Sequence, residues 1–505
     1  MCNQADGAKN MDKKNNPNIG FALVFIGTIM AIYGLYLLPY IGILAKLAVA
    51  IFLLIMSGIA IKRIKSTAGG FGFYLVGTKA GITTVHKLAR SHSAFWNAMA
   101  TWGIILGFGV LSYFILGKQV SKKFYAASLA SLMAIMIFVL PFISYSLAFI
   151  RSPQLQSLLP AGIHSLPSFT AYIGSITNVP IYSEIIRLLA LVGGFALFVI
   201  FALVYNASYI IYILVLHPTV ATLASQSAGA TIALPGVTLP LFAGIVSLAI
   251  LLIIHEFSHG ILSSLSKVKL KQIGLLMFGI IPVGAFVEPD EKKVLALSKL
   301  KQNKISSAGV SANFIATVIF FMLMVLTIPI IYNGYATHGI SYNTGIFIKN
   351  TSVGYPAYGV LKPGMHIISW NGHNITNVTG LISAASSDFA GSRVNVVTNA
   401  GKYSFTAKAL NATSRIGLIG VSLYESGKVV PSNTFWGIMY FAYSVFAISF
   451  MLNFLIGIMN LLPIPGFDGW RIFTLSINNK RVVNVLSVVV VLALLISLLP
   501  ATTQL

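Results

Sequence analysis

Apolar and polar positions along this chain fall into long blocks, not into the short alternations of a soluble domain. Nine apolar runs approach or exceed the roughly 20 residues that a helix needs to cross hydrocarbon. They cover about 19–39, 41–61, 98–117, 124–149, 187–214, 240–264, 305–331, 434–458 and 482–499. Residues 272–290 are also apolar but are broken by glycine and proline, and such backbone is tolerated at membrane depth only against protein or a cavity. They predict a re-entrant hairpin. Residues 336–428 alternate short β-type runs (394–398 and 403–407) with Gly, Asn and Ser turns, which predicts a small soluble α+β or β domain inserted between the seventh and eighth runs. The expected fold is a polytopic α-helical membrane protein of about nine transmembrane helices. Its blocks are an N-terminal transmembrane hairpin (1–66), additional transmembrane helices and loops (67–239), a core segment (240–332), the inserted domain (336–428) and a second core segment (430–505).

Composition agrees with a membrane protein. Of 505 residues, 57% are hydrophobic and 9% charged, with a mean hydropathy of +0.87; a soluble domain carries about a quarter charged residues. The 33 Lys and Arg against 10 Asp and Glu give a formal charge of +23. These cations sit in short loops between apolar runs, the positive-inside pattern, and do not suggest a nucleic-acid partner. Lysines and arginines after the second and sixth runs place both loops, and the N-terminus, in the cytoplasm. Lys118, Lys122 and Lys123 then fall on the opposite side, against the rule. The inserted domain is expected outside, where sequons at Asn350, Asn374, Asn377 and Asn411 would be open to glycosylation. The lone Cys2 excludes an internal disulfide and a cysteine zinc site. The first apolar run has spanning length with no small-residue cleavage site behind it, which predicts an anchor, not a cleaved signal.

The candidate chemistry sits in the sixth run. There, His255, Glu256 and His259 are the only ionisable residues. Histidines at i and i+4 share a helix face and can reach one ion, while Glu256 beside them can act on a water held there. By chance the pattern H-E-x-x-H would arise in roughly one chain of this composition in 600. A structural polar cluster between helices is the other bland reading, but ionisable groups at mid-membrane cost about 2.5 kcal/mol or more each and are rarely retained without function. A catalytic zinc needs a third protein ligand. Asp6, Asp12, Glu184, Asp388 and Glu425 lie in tails, loops or the inserted domain, and Glu288, Asp290 and Glu291 lie among lysines. That leaves Asp468, in N-L-L-P-I-P-G-F-D-G-W-R after the eighth run. On spacing alone Asp468 reads more readily as a solvated carboxylate in a helix-ending turn.

H-E-F-S-H-G within an apolar run, with N-L-L-P-I-P-G-F-D-G far downstream, resembles the site-2 protease family of intramembrane zinc metalloproteases. The resemblance implies His255 and His259 as zinc ligands, Asp468 as the third ligand and Glu256 as the catalytic carboxylate. It also implies that Asn460 holds substrate or polarises the scissile carbonyl. Residues 280–287, I-I-P-V-G-A-F-V, resemble the family's membrane-associated hairpin. Residues 308–314, A-G-V-S-A-N-F, resemble its A-G-P-x-x-N element with Val310 in place of proline, and no catalytic role is assigned to Asn313. Residues 359–372 are similar to a PDZ domain, with Met365 and His366 departing from its usual G-D-x-I. The implied protein is a multi-pass protease of the cell membrane, with one Zn2+ per chain and an extracytoplasmic PDZ-like domain. Its implied partners are the lipid bilayer and membrane-spanning protein substrates, tethered regulators already cut by an upstream site-1-type protease. A prenyl-peptide-type zinc protease would need a downstream glutamate ligand in an apolar segment, which this chain lacks. The remaining alternative is a metal-binding transporter or receptor without proteolytic activity.

Overall fold

The computed structural model describes residues 17–502 except 39–42, 66, 137–179, 220–221, 224–229, 231–232, 236–238 and 410–414. The second half of the run expected at 124–149, the sequon Asn411 and the acids Asp6 and Asp12 therefore lie outside the described residues.

The first described elements are helices α1 (Pro17–Leu37) and α2 (Ile43–Lys65), followed by strands β1 (Gly69–Gly70) and β2 (Phe73–Thr78). Helices α3 (Ile82–Ser91), α4 (Ser93–Phe108) and α5 (Lys122–Ala134) lead to the long α6 (Pro180–Leu216). Then come α7 (Leu241–Leu265), which carries the H-E-F-S-H sequence, the hairpin β3 (Leu270–Phe278) and β4 (Ile281–Pro289), and the 38-residue α8 (Lys299–Ala336). Among the described residues six helical stretches are long and apolar enough to cross a membrane: Ser93–Leu116, Arg187–Leu216, Leu241–Leu265, Lys299–Ala336, Thr434–Met459 and Lys480–Pro500. Helix α8 starts six residues before the apolar run expected at 305–331, because Lys299, Lys301 and Lys304 are good helix formers.

The segment after α2, expected as loop, forms strands. β2 pairs antiparallel with β3 from Phe73↔Phe278 to Thr78↔Ile273, giving a four-stranded sheet of order β1-β2-β3-β4. One edge of the hairpin is thus covered from within the chain, and among the described residues β4 is left as an edge strand.

The inserted region forms a second, six-stranded sheet. Its strands β5 (Ile340–Thr351) and β12 (Val421–Pro431) pair along most of their length, and β6 (His366–Trp370), β7 (His373–Asn374), β8 (Arg393–Thr398) and β9 (Gly401–Thr406) extend it. Helix α9 (Val378–Ala385) and the strands enclose a core that includes Ile346, Ile348, Ile367, Trp370, Leu381 and Val396. A two-stranded ribbon, β10 (Lys408–Ala409) with β11 (Gly417–Leu418), lies beside it. Asp388 of this domain is buried and accepts hydrogen bonds from Trp370 Nε1 (2.8 Å) and Asn371 Nδ2 (2.7 Å), a structural use of a carboxylate.

From β12 the chain enters α10 (Thr434–Met459), a Pro/Gly turn, the short α11 (Asp468–Ser476) and α12 (Lys480–Thr502). Helices α7, α8 and α10 form the centre. Small residues let them approach: the Ser247 hydroxyl donates to the Val445 carbonyl at 3.2 Å, and Gly457 faces Asn313 and Phe314. Helices α4 and α6 are not peripheral. Their Ile104, Leu106 and Phe195 share one buried cluster with Phe314 of α8 and with Leu461, Leu462 and Ile472, which flank Asp468. The two helices meet where both break, at Gly109 (φ 52°) and Gly194 (φ 63°).

Candidate metal centre

On α7, His255 and His259 stand one turn apart with their rings edge to face, centroids 4.9 Å apart. Their Nε2 atoms are 3.2 Å from each other, and each lies 3.3 Å from Asp468 Oδ2. His255, His259 and Asp468 form the one group of three or more His, Cys, Asp or Glu suited to a metal among the described residues.

Asp468 is delivered by the turn between α10 and α11. Pro463 and Pro465 prevent helix from continuing, Gly466 takes φ +97°, and Asp468 begins α11. The Gly469 N–H donates to the Asn460 carbonyl at 2.7 Å, which closes the turn. A Cβ on Gly469 would lie 2.2 Å from the Leu461 carbonyl oxygen, so this close approach needs glycine. Asn460, expected to touch substrate, ends α10, and its main chain ties down the loop that carries Asp468.

The surroundings suit a cation. His259 Nδ1 lies 2.7 Å from the Ile305 carbonyl, which can only accept, so neutral His259 presents its Nε2 lone pair to Asp468. No hydrogen-bond donor is aligned on the buried Asp468 Oδ2. A tetrahedral zinc with bonds of about 2.0–2.1 Å needs donor atoms about 3.3–3.4 Å apart, close to the observed triangle. Two imidazoles and a carboxylate are also a known catalytic zinc donor set. Gly309 of α8 backs onto this space: a Cβ there would lie 2.5 Å from both Nε2 atoms, so a side chain would occupy the ground the ion needs. These residues fit zinc.

Glu256 turns toward the sheet. Its Oε2 accepts the Val287 N–H of β4 at 3.3 Å, so the free edge of β4 faces the acid next to the histidine pair. The other described histidines stand apart. His86, in α3, meets Ser264 Oγ at 2.6 Å, and His366 stacks on Phe347.

Three contributions were not assigned from sequence: the Ile305 carbonyl, Gly309 and Asn313, whose Nδ2 lies 3.1 Å from His255 Nδ1. Their four-residue spacing on one helix face was the available signal. Val310, which distracts from Asn313 by replacing the family's proline, packs in the hydrophobic cluster with Leu461 and Phe195.

Residues 243–498 match the sequence pattern of peptidase family M50. The chain is also similar to an uncharacterized protein of Methanocaldococcus jannaschii, 25% identical over 253 residues, covering 50% of this chain and 62% of that one.

Proposed function

The chain belongs to peptidase family M50, the family of the site-2 proteases, and on that premise we propose that it is a zinc metalloprotease that hydrolyses peptide bonds within or near the transmembrane segments of anchored proteins. The observation that supports this most is the meeting of His255 and His259, on a helix apolar enough to cross a membrane, with Asp468, beside Glu256. His255 Nε2, His259 Nε2 and Asp468 Oδ2 are the proposed ligands. Zinc, when bound, supplies Lewis acidity to a water and to the scissile carbonyl.

The chain's own residues supply the rest. Glu256 takes a proton from the attacking water and returns it to the leaving amine. The Val287 N–H on Oε2 fixes the carboxylate and leaves its other oxygen for that proton. Asn460 is proposed to donate its side-chain amide to the scissile carbonyl. An intact helix shields its carbonyls in its own hydrogen bonds, so substrate must unwind before it is cut. The open edge of β4 offers an extended segment strand pairing beside Glu256. The sheet domain at 340–431, read as PDZ-like and extracytoplasmic, would admit trimmed substrates and exclude bulky ones. An upstream site-1-type protease would do the trimming, and the released piece would be a tethered regulator.

Glu256→Gln tests the assignment. It should keep one zinc per chain and slow cleavage of a transmembrane helix panel by about 10²–10⁴-fold, the range for losing a general base. Unchanged cleavage removes Glu256 from the mechanism. Metal flux in vesicles that depends on the histidines, without proteolysis, would favour a transporter instead.

A further inference from the structure

Helix α8 runs behind the paired imidazoles, and Ile305, Gly309 and Asn313 recur on one face at four-residue intervals. The first orients His259 through its main-chain carbonyl, and the second makes room. Asn313 is the side chain of the three that meets His255. It is 0% exposed, its Nδ2 lies 3.1 Å from His255 Nδ1, and its Oδ1 is buried with no hydrogen-bond partner.

The two ends of an asparagine amide have the same shape, so hydrogen-bond logic decides which end faces the ring. With nitrogen facing the ring, Nδ1 must accept, the proton of neutral His255 sits on Nε2, and that nitrogen has no lone pair for a metal. The amide oxygen then also stays buried without a donor. With oxygen facing the ring, Nδ1–H donates to Oδ1 and Nε2 turns a lone pair toward Asp468, while the amide nitrogen takes the other buried end. This is the arrangement His259 already has with the Ile305 carbonyl.

We propose that Asn313 is a positioning residue whose side-chain oxygen accepts Nδ1–H of His255 and so holds that imidazole in its metal-ligating tautomer. This rests on the zinc reading above. It differs from the support of His259 in one respect: the latter comes from main chain, whereas the orientation of His255 depends on a replaceable side chain.

Zinc affinity, measured by chelator competition on the full-length protein in detergent, tests this, with melting of the metal-stripped forms as a separate report of folding. Losing such an outer partner weakens metal binding by about 10–100-fold. Asn313→Ala should show that loss. Asn313→Leu, which keeps the volume should the alanine variant fail to fold, should show it too. Asn313→Asp should stay close to wild type, because a carboxylate can only accept from Nδ1–H. Wild-type affinity in the alanine or leucine variant overturns the proposal, as does an aspartate variant as weak as the leucine one. Wild-type protein that binds no zinc overturns the metalloprotease reading itself.

Discussion

At the scale of single residues the site depends on an absence as much as on its ligands. A methyl group on Gly309 would sit 2.5 Å from the Nε2 atoms of both histidines. Contact that close cannot be relieved without moving one imidazole or the helix, a cost of about 1–3 kcal/mol in a packed interior. Gly309→Ala is therefore expected to lower zinc content at least tenfold while circular dichroism still reports a folded helical protein. Full zinc occupancy in that variant would mean the imidazoles have room the structure does not give them. The glycine and Asn313 were hard to assign from sequence for a physical reason. Glycines and asparagines have many uses in helices, and only the partner across the interface, here α7, shows which use applies. The histidine pair was legible because i and i+4 fix a shared face whatever the fold. Asp468 was legible only through the family resemblance, because nothing in the spacing of a Pro/Gly turn says which way its carboxylate points.

Among the elements, the sheet is the part whose behaviour can be followed with pH. Lys271 on β3 and Glu288 on β4 pair at 2.8 Å, and Gln272 Nε2 also donates to Glu288 at 2.8 Å. The hydrogen bond from Lys271, then that from Gln272, holds the Glu288 carboxyl below the usual carboxylate range. The hydrogen bond and charge of Glu288 hold the Lys271 ammonium above its ordinary value. A depressed carboxylate contributes stability at neutral pH and loses it as pH falls through its lowered pKa. A raised ammonium contributes below its unfolded pKa and loses it as pH climbs past the raised one. Protection of the β3 and β4 amides, their hydrogen exchange relative to the intrinsic rate at the same pH, should therefore fall at both extremes, and Glu288→Gln should remove most of the acid dependence. An identical acid profile in that variant would show that the pair does not hold the hairpin. The edge of β4 makes a second prediction. Val287→Pro deletes the N–H given to Glu256, at a position where an edge strand tolerates proline. It should slow cleavage by about tenfold or more with zinc retained, because a base with a free carboxylate spends less time in the productive orientation. Unaltered rates would separate the strand from the chemistry. The hairpin itself could be anticipated from its interrupted apolar run. The two strands that β1 and β2 add could not, since residues 69–78 are short, glycine-rich and paired only through contacts distant in sequence.

For the whole molecule, two helices before residue 240 belong to the frame around the candidate site. Ile104, Leu106 and Phe195 pack in one cluster with Leu461, Leu462 and Ile472, so α4 and α6 brace the turn that carries Asp468. The crossing of the two helices needs Gly194 at φ +63°, and a Cβ there would lie 2.3 Å from the Gly107 carbonyl carbon. Gly194→Ala should cost about 1–3 kcal/mol for the strained backbone alone. It should appear as a lower melting temperature in detergent, with zinc lost at the same transition. Zinc surviving beyond that transition would show that the brace and the site are independent. On the proposed reading this bundle brings two imidazoles of α7 and a carboxylate from the far end of the chain onto one ion. X-ray absorption at the zinc edge, on wild type and Asp468→Ala, measures this directly. One zinc per wild-type chain is expected, with two imidazole nitrogens and a carboxylate oxygen at about 2.0–2.2 Å, and loss of the ion or of that oxygen in the variant. A wild-type zinc without imidazole ligands, or a spectrum unchanged by Asp468→Ala, would contradict it.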